Sequence, residues 1–149
     1  MSNVVVGSSF LNKKEEKYAA ATITPGYLIE LTSSDTFQVH STAGGTVIPC
    51  FADIDKWQGN DLDDDYSADD LVAGWYAGPG DVVENAMLDG DSSNVSIGSL
   101  LESNGDGKLR LHDPADSAGV VIQDRQIVGF SLEAVVPGGT DTRFKLQIF

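Results

Sequence analysis

A tight turn followed by an alternating strand constrains the fold of this chain more than any other feature of the sequence. Residues 104–107 read Asn-Gly-Asp-Gly, and these residue types tolerate the positive φ angles of a hairpin turn. In residues 108–112, which follow, leucines alternate with basic residues, as in a strand with one buried face. Similar short runs, separated by Gly, Pro, Asn and Asp, recur along most of the chain and predict an all-β protein.

The spacing of these runs predicts about ten short strands in a single small barrel or sandwich. Residues 99–102 and 108–112 are expected to pair as a hairpin around the turn. Residues 127–136 are predicted as the longest strand. Phe144, Leu146 and Ile148 alternate with polar residues, which predicts a last strand tied into the sheet. The expected organisation is an N-terminal arm over residues 1–18 and a β-rich domain over residues 19–149.

The charge is strongly acidic and unevenly placed. The 149 residues carry a net charge of −14, and residues 53–106 hold 14 acidic residues against the single Lys56. Such a surface repels phosphate backbones, so nucleic acid is not an expected partner. Acidity also favours solubility, and a salt-rich habitat is an alternative reason for it.

Residues 53–71 form a long acidic excursion that is too aromatic for a plain disordered tail. We expect an ordered surface loop with one helical turn near residues 68–71. Asp61, Asp63 and Asp65 match the first positions of a calcium loop, but Tyr66 stands where that loop needs glycine. An EF-hand is therefore excluded. A solvated acidic surface is favoured, and a weak divalent site outside any motif is the alternative.

The sequence offers no convincing catalytic constellation. His40 and His112 are the histidines, and both are expected at the surface or rim of the domain, outside any nucleophile motif. Cys50 lies in an apolar run and is expected to be a buried free thiol. With 23 acidic residues, a close carboxylate pair would arise by chance and carries no argument for a glycosidase. The prediction is a non-enzymatic protein without cofactor or metal.

Four aromatic residues are candidates for a partner or sugar platform. Trp75 and Tyr76 are neighbours on a predicted strand, so they point to opposite faces and only one is expected in the core. Trp57 lies within the acidic excursion with Tyr66 and is the better candidate for an interface anchor, because tryptophan is favoured at binding hot spots. The alternative for Trp57 is local packing of the loop.

The sequence indicates a protein made in the cytoplasm and not bound to a membrane. It has no run of 18 apolar residues, so a transmembrane helix is not expected. The N-terminus lacks the basic start and long apolar core of a signal peptide.

An ordered series of segments resembles a known family. The segments are YLIELTS (27–33), HSTAGG (40–45), WQG (57–59) with DDDY (63–66), GDVVENA (80–86), IGSLLESNGDGKLR (97–110) and IVGFSLEAV (127–135). Together they resemble the head decoration, or cement, proteins encoded beside the major capsid gene of tailed bacteriophages and prophages. The resemblance spans residues 17–149, but the acidity and a shortened segment between residues 136 and 143 depart from the family pattern.

The resemblance implies a β-rich virion protein on the outer surface of the assembled capsid. It implies a homotrimer at threefold or quasi-threefold axes that binds the major capsid protein and holds the shell against internal DNA pressure. The family has no catalytic residues. A virion-displayed receptor- or glycan-binding module is the alternative function, and a small hydrolase with a carboxylate pair is the third. The candidate contact residues are Lys13, Lys14, Lys17, Trp57, Tyr66 and Trp75.

Overall fold

The computed structural model describes residues 4–6, 13–113 and 126–149. The described residues form eleven strands and one short 3₁₀ turn, Lys56–Gln58. In chain order the strands are β1 (Val5–Val6), β2 (Lys13–Tyr18), β3 (Ile29–Leu31), β4 (Phe37–Val39), β5 (Cys50–Ala52), β6 (Leu71–Tyr76), β7 (Val82–Leu88), β8 (Leu100–Ser103), β9 (Leu109–Leu111), β10 (Gly129–Ser131) and β11 (Thr142–Ile148).

Five of these strands close into a barrel. Their order is β7-β11-β10-β8-β9, and Leu109 of β9 pairs in parallel with Leu88 of β7 to complete the circle. The other neighbouring pairs of the barrel are antiparallel, and β1 adds to the beginning of β7. The prediction of a small all-β domain, either a barrel or a sandwich, is confirmed, and the structure is the barrel. Among the residues described, no helix has the length and apolar character to cross a bilayer.

Alternation along the strands fills the barrel. Phe144, Leu146 and Ile148 of β11 are all buried, as their spacing predicts. On β7 the buried residues are Val83, Ala86 and Leu88, and the first two are three positions apart. The pairing between β7 and β11 shifts at this point, because one extra residue of β7 forms a β-bulge. The bulge restores the inward direction, and the two strands share one apolar core.

The turn at residues 104–107 forms the predicted hairpin. Ser103 of β8 faces Leu109 of β9, and Gly105 and Gly107 have φ angles of 89° and 84°. The carbonyl of Gly107 accepts a hydrogen bond of 2.8 Å from the amide of Leu28. A Cβ on Gly107 would lie 2.6 Å from the ring of Tyr27, so only glycine permits this close approach. The turn therefore docks the barrel against the rest of the domain.

Two smaller sheets lie beside the barrel. Strands β2, β6 and β5 form one sheet with β6 in the centre, and β3 and β4 form a hairpin. A second apolar cluster fills the space between them and includes Phe37, Cys50, Tyr66 and Val72. Cys50 is buried as expected, and burial, with a smaller contribution from the charge of Glu15, raises its pKa to about 12.

The segment assigned to the arm contributes strands to both larger sheets. Val5 and Val6 pair with β7, and all six residues of β2 pair with β6, from Lys13 opposite Tyr76 to Tyr18 opposite Leu71. Strand β2 therefore belongs to the β-rich unit, although it lies within residues 1–18.

Two local predictions are wrong. Residues 127–136 do not form the longest strand, because β10 ends at Ser131, whose hydroxyl donates to the carbonyl of Glu133 and bends the chain. The helical turn lies at Lys56–Gln58 and not at residues 68–71. Asp55 caps this turn by accepting from the amide of Gln58, and residues 67–70 instead make a tight turn that leads into β6.

The acidic excursion is ordered, as predicted, because it is tied to the barrel. The guanidinium of Arg143 in β11 donates to the carbonyls of Leu62 at 2.6 Å and of Pro25 at 2.8 Å. The backbones of Tyr66 and Ile23 also exchange hydrogen bonds. Arg143 therefore attaches both a loop of the acidic excursion and the turn before β3 to strand β11.

Candidate interaction surface

A surface groove lies where the sheet β2-β6-β5 meets the 3₁₀ turn, and its volume is about 940 Å³. Because side chains alternate along a strand, Leu71 and Ala73 of β6 face this groove while Val72 and Gly74 face the second apolar cluster. We call this site the Trp57 groove, after its exposed tryptophan. Its lining consists of Lys14, Glu16, Ile54, Asp55, Lys56, Trp57, Gln58, Asn60, Tyr66, Asp70, Leu71 and Ala73.

Trp57 is presented to solvent by the 3₁₀ turn. The residue is 88% exposed, although it sits between a capped start at Asp55 and an end at Gly59, whose φ angle is 73°. The hypothesis that Trp57 packs the acidic loop is therefore wrong. Leu71 across the groove is 48% exposed. Large apolar groups held open by defined backbone are typical of sites that bind a partner.

A buried polar network holds the groove from below. The carboxylate of Asp53 accepts from the indole Nε1 of Trp75 at 2.8 Å and from the amide of Ile54 at 2.8 Å. The hydroxyl of Tyr66 donates to the carbonyl of Asp53 at 2.7 Å. Burial raises the pKa of Tyr66 well above its usual range, so the hydroxyl keeps its proton and remains a donor. The network fixes the backbone immediately before the 3₁₀ turn and so fixes where Trp57 projects.

The rim of the groove carries charges of both signs with an acidic excess. Glu16 and Asp70 are exposed, Asp55 is half-buried, and Lys14 and Lys56 are exposed. The carboxylate of Asp70 also accepts from the amide of Ser67, which orders the chain entering β6. The groove is thus a partly apolar cleft with a preformed, charged rim.

Three of the residues predicted as contacts line this groove, although they are far apart in the chain. Lys14 and Trp57 lie on its rim and wall. Tyr66 belongs to the floor and is only 2% exposed, so its ring supports the groove from within. Trp75 lies half-buried opposite Lys14 in the sheet and reaches the site through Asp53.

Lys17 does not form one patch with Lys14. Lys17 lies on the opposite face of β2, where its ammonium group is 2.7 Å from the carboxylate of Asp35. Lys13 pairs with Tyr76 in the same sheet. Sequence reasoning missed Ile54 and Leu71, because a single apolar residue among aspartates gives no pattern that places it in a groove.

Both histidine side chains are buried, so the expectation that they lie at the surface or rim is wrong. His40 Nδ1 is 2.7 Å from the hydroxyl of Ser103, and its Nε2 is 3.1 Å from the carbonyl of Thr46. His112 Nδ1 is 2.7 Å from the carboxylate of Glu102. The pair of His40 and Ser103 has the residue types of a nucleophilic site, but Ser103 is completely buried. The pair therefore ties β8 to the chain that follows β4.

The basic face of strand β9 is neutralised within the barrel. The ammonium group of Lys108 lies 2.8 Å from Asp89, and Asp106 and Asp141 also lie within ion-pair distance. The guanidinium of Arg110 contacts Glu102 at 2.7 Å. These pairs explain why basic residues alternate with leucine after the hairpin turn, and they leave the acidic excursion as a strongly negative surface.

Some carboxylates of the acidic excursion accept hydrogen bonds from backbone amides of its own turns. The amide of Asp61 donates to Asp64, and the amide of Leu62 donates to Asp61. In the described part of the chain, no three His, Cys, Asp or Glu side chains are grouped as a metal site would require.

The fold is similar to that of a bacteriophage head protein. No protein-family model and no curated protein matches this chain. Among solved structures, the N base of head fiber gp8.5 of bacteriophage phi29 superposes with a TM-score of 0.57 at 13% sequence identity. The match covers 93% of this chain and 95% of the phi29 chain. It shows a shared fold, and it agrees with the resemblance to phage head proteins in the sequence.

Proposed function

We propose that this chain is a non-enzymatic structural protein of a phage head, which binds the outer surface of the assembled capsid and stabilises it. The observation that carries the proposal is the likeness in fold to a phage head fiber base along nearly the whole length of both chains. The ordered series of decoration-protein segments in the sequence supports the same assignment. The partner in this proposal is the major capsid protein.

The mechanism is additional buried interface on the assembled shell. A ligand that binds the intact shell and not its dissociated subunits stabilises the shell by mass action. The construction of this chain suits that task, because the closed barrel, the docked turn at Gly107 and the Arg143 contacts keep its surfaces in fixed positions. Rigid surfaces lose little conformational entropy on binding.

The assembly in this proposal is a homotrimer at a threefold or quasi-threefold axis. Three linked copies bind with high avidity even where each contact is modest. Two copies of a chain with a net charge of −14 repel each other, so the subunit contact is expected away from the acidic excursion. Strand β2, with Lys14 and Lys17 on opposite faces, is an expected contact of the capsid or of the neighbouring subunit.

The experiment mixes the purified chain with heads of its own phage that were assembled without it. Pelleting measures binding, and imaging of the decorated heads locates the added density. We expect the chain to sediment with intact heads, to remain in solution with dissociated capsid protein, and to raise the resistance of heads to heat. Light scattering of the free chain should give the mass of three copies. Heads that neither bind the chain nor gain resistance would remove the proposal.

A virion-displayed glycan-binding module is the second candidate, and the exposure of Trp57 in a groove favours it. Sugars stack on exposed indole rings, and polar side chains of the rim would supply hydrogen bonds. Binding to a glycan array that is lost in Trp57→Ala, without affinity for heads, would select this function over decoration.

A further inference from the structure

We infer that the Trp57 groove binds an extended, arginine- or lysine-bearing segment of a partner protein. The inference rests on the proposed function in one respect, since it takes that partner to be the capsid protein. It adds what the proposed function leaves open, namely which face of the molecule makes the contact and which chemistry that face recognises.

The groove has the form of a site for a peptide segment. It is bounded on one side by side chains of β2 and β6 and on the other by the 3₁₀ turn, and its volume of about 940 Å³ admits several side chains. Trp57 at 88% exposure and Leu71 at 48% exposure offer apolar area that residues 13–113 and 126–149 leave uncovered. An exposed tryptophan in a preformed cleft is the usual anchor of a binding hot spot.

Charge complementarity selects a basic occupant. Glu16, Asp55 and Asp70 lie on the groove, and the excursion that contains Trp57 continues with Asp61 and three aspartates at 63–65, all exposed. Lys14 and Lys56 also line the groove, but Lys56 is the only basic residue between residues 53 and 71. Acidic residues therefore outnumber basic residues around Trp57. A guanidinium or ammonium group can lie over the indole face as a cation–π contact and pair with these carboxylates.

A second copy of this chain fits the groove poorly. Each copy carries a net charge of −14, and three of its basic side chains, Lys108, Arg110 and Arg143, are already paired with carboxylates of the same chain. Self-association through this face would bring two acidic excursions together, which like-charge repulsion opposes.

The first arm of the test uses a defined probe. A fluorescent twelve-residue peptide of alternating arginine and valine is titrated with the full chain, and a peptide with aspartate in place of arginine is the control. We expect binding of the arginine peptide, a loss of affinity of at least tenfold in Trp57→Ala, and a smaller loss in Glu16→Gln. Ile97→Ala removes another well-exposed apolar side chain outside the groove, and Asp91→Asn removes one exposed charge outside it. Both should bind as the wild type does.

The salt dependence of binding distinguishes the charged contribution of Glu16 from the contribution of Trp57. Raising the salt concentration should weaken the wild type and reduce the difference between wild type and Glu16→Gln, because screening weakens exposed charge pairs. The tenfold effect of Trp57→Ala should persist. Equal binding by Trp57→Ala and Ile97→Ala would overturn the inference, since affinity would then come from net charge alone.

The second arm repeats the four variants with phage heads. If the wild type sediments with heads and Trp57→Ala is at least tenfold weaker than Ile97→Ala, the groove is the capsid contact. If all variants sediment equally, the groove inference is overturned while capsid binding stands. If no variant sediments but the peptide still requires Trp57, the groove binds basic segments and the proposed function is overturned instead.

Discussion

The substitution Lys108→Met tests whether ion pairs hold the barrel to its neighbouring loops. The ammonium group of Lys108 lies 2.8 Å from Asp89, 3.2 Å from Asp106 and 3.3 Å from Asp141. These carboxylates come from the end of β7, the hairpin turn and the loop before β11. Methionine keeps most of the aliphatic stem, so the substitution removes the charge with little loss of packing.

The expected loss of stability in Lys108→Met depends on how exposed each partner of the ion pairs is. Removing one member of a buried ion pair costs about 3–5 kcal/mol, and an exposed pair contributes about 0–1 kcal/mol. The side chains of Lys108 and Asp89 are 17% and 13% exposed, so their pair lies between these limits. Asp106 and Asp141 are half-exposed, and water screens their repulsion once the lysine is gone. We expect a loss of about 2–3 kcal/mol in the free energy of unfolding at pH 7.

The loss of stability in Lys108→Met should become smaller at acidic pH. The hydrogen bond from Lys108 holds the pKa of the Asp89 carboxyl below its ordinary value of 3.8. A carboxyl whose pKa is lower in the folded state contributes stability above the unfolded pKa, and this contribution disappears as the pH falls through the folded pKa. The difference between wild type and Lys108→Met should therefore be full at pH 7 and shrink below pH 3.8.

The assay is urea denaturation of both proteins between pH 7 and pH 3, followed by intrinsic fluorescence. Lys145→Met is the control, because Lys145 lies exposed on β11 and its substitution should change the free energy of unfolding by less than about 0.5 kcal/mol. Asp89→Asn in a double-mutant cycle with Lys108→Met should show a coupling of about 1–2 kcal/mol at pH 7. A loss that is constant with pH, with no coupling to Asp89, would refute the electrostatic explanation and assign the effect to packing.

Three further predictions concern buried groups. Because burial raises its pKa to about 12, the Cys50 thiol should react with a thiol reagent at pH 8 far more slowly in the folded chain than in urea, and equal rates would contradict its burial. Gly129→Ala should cost about 3 kcal/mol or more by thermal denaturation, since its Cβ would overlap the carbonyl of strand β11, whereas Gly78→Ala should be nearly neutral. Ser103→Ala should cost about 1–3 kcal/mol by leaving Nδ1 of buried His40 without its hydrogen-bond partner, and an unchanged midpoint would contradict that hydrogen bond.

Local sequence patterns predicted the elements whose geometry depends on neighbouring residues. Glycines at 105 and 107 allow the positive φ angles of the hairpin turn, and strict alternation in β11 places Phe144, Leu146 and Ile148 in the core. The expected hairpin of residues 99–102 with 108–112 forms as β8 and β9. In each case a few consecutive residues determine backbone conformation and the buried face.

Predictions failed where distant contacts override the local pattern. Residues 127–136 alternate well enough for a long strand, but the chain bends after Ser131 because its hydroxyl bonds the carbonyl of Glu133. The histidines have polar neighbours in sequence, yet Ser103 and Glu102 of strand β8 hold both of them in buried positions. No pattern around a histidine identifies a partner that lies on another strand.

The sequence by itself determined the β class, the principal turns and the strongly acidic surface, since these depend on residue type and short-range spacing. Only the tertiary structure decided that β7 and β9 close a barrel, that a bulge on β7 keeps Ala86 inside, and that Lys14 and Trp57 line one groove. Closure and strand register bring together residues tens of positions apart, and many pairings are compatible with the same alternation. The selection among them comes from the joint packing of both apolar clusters, which no single segment contains.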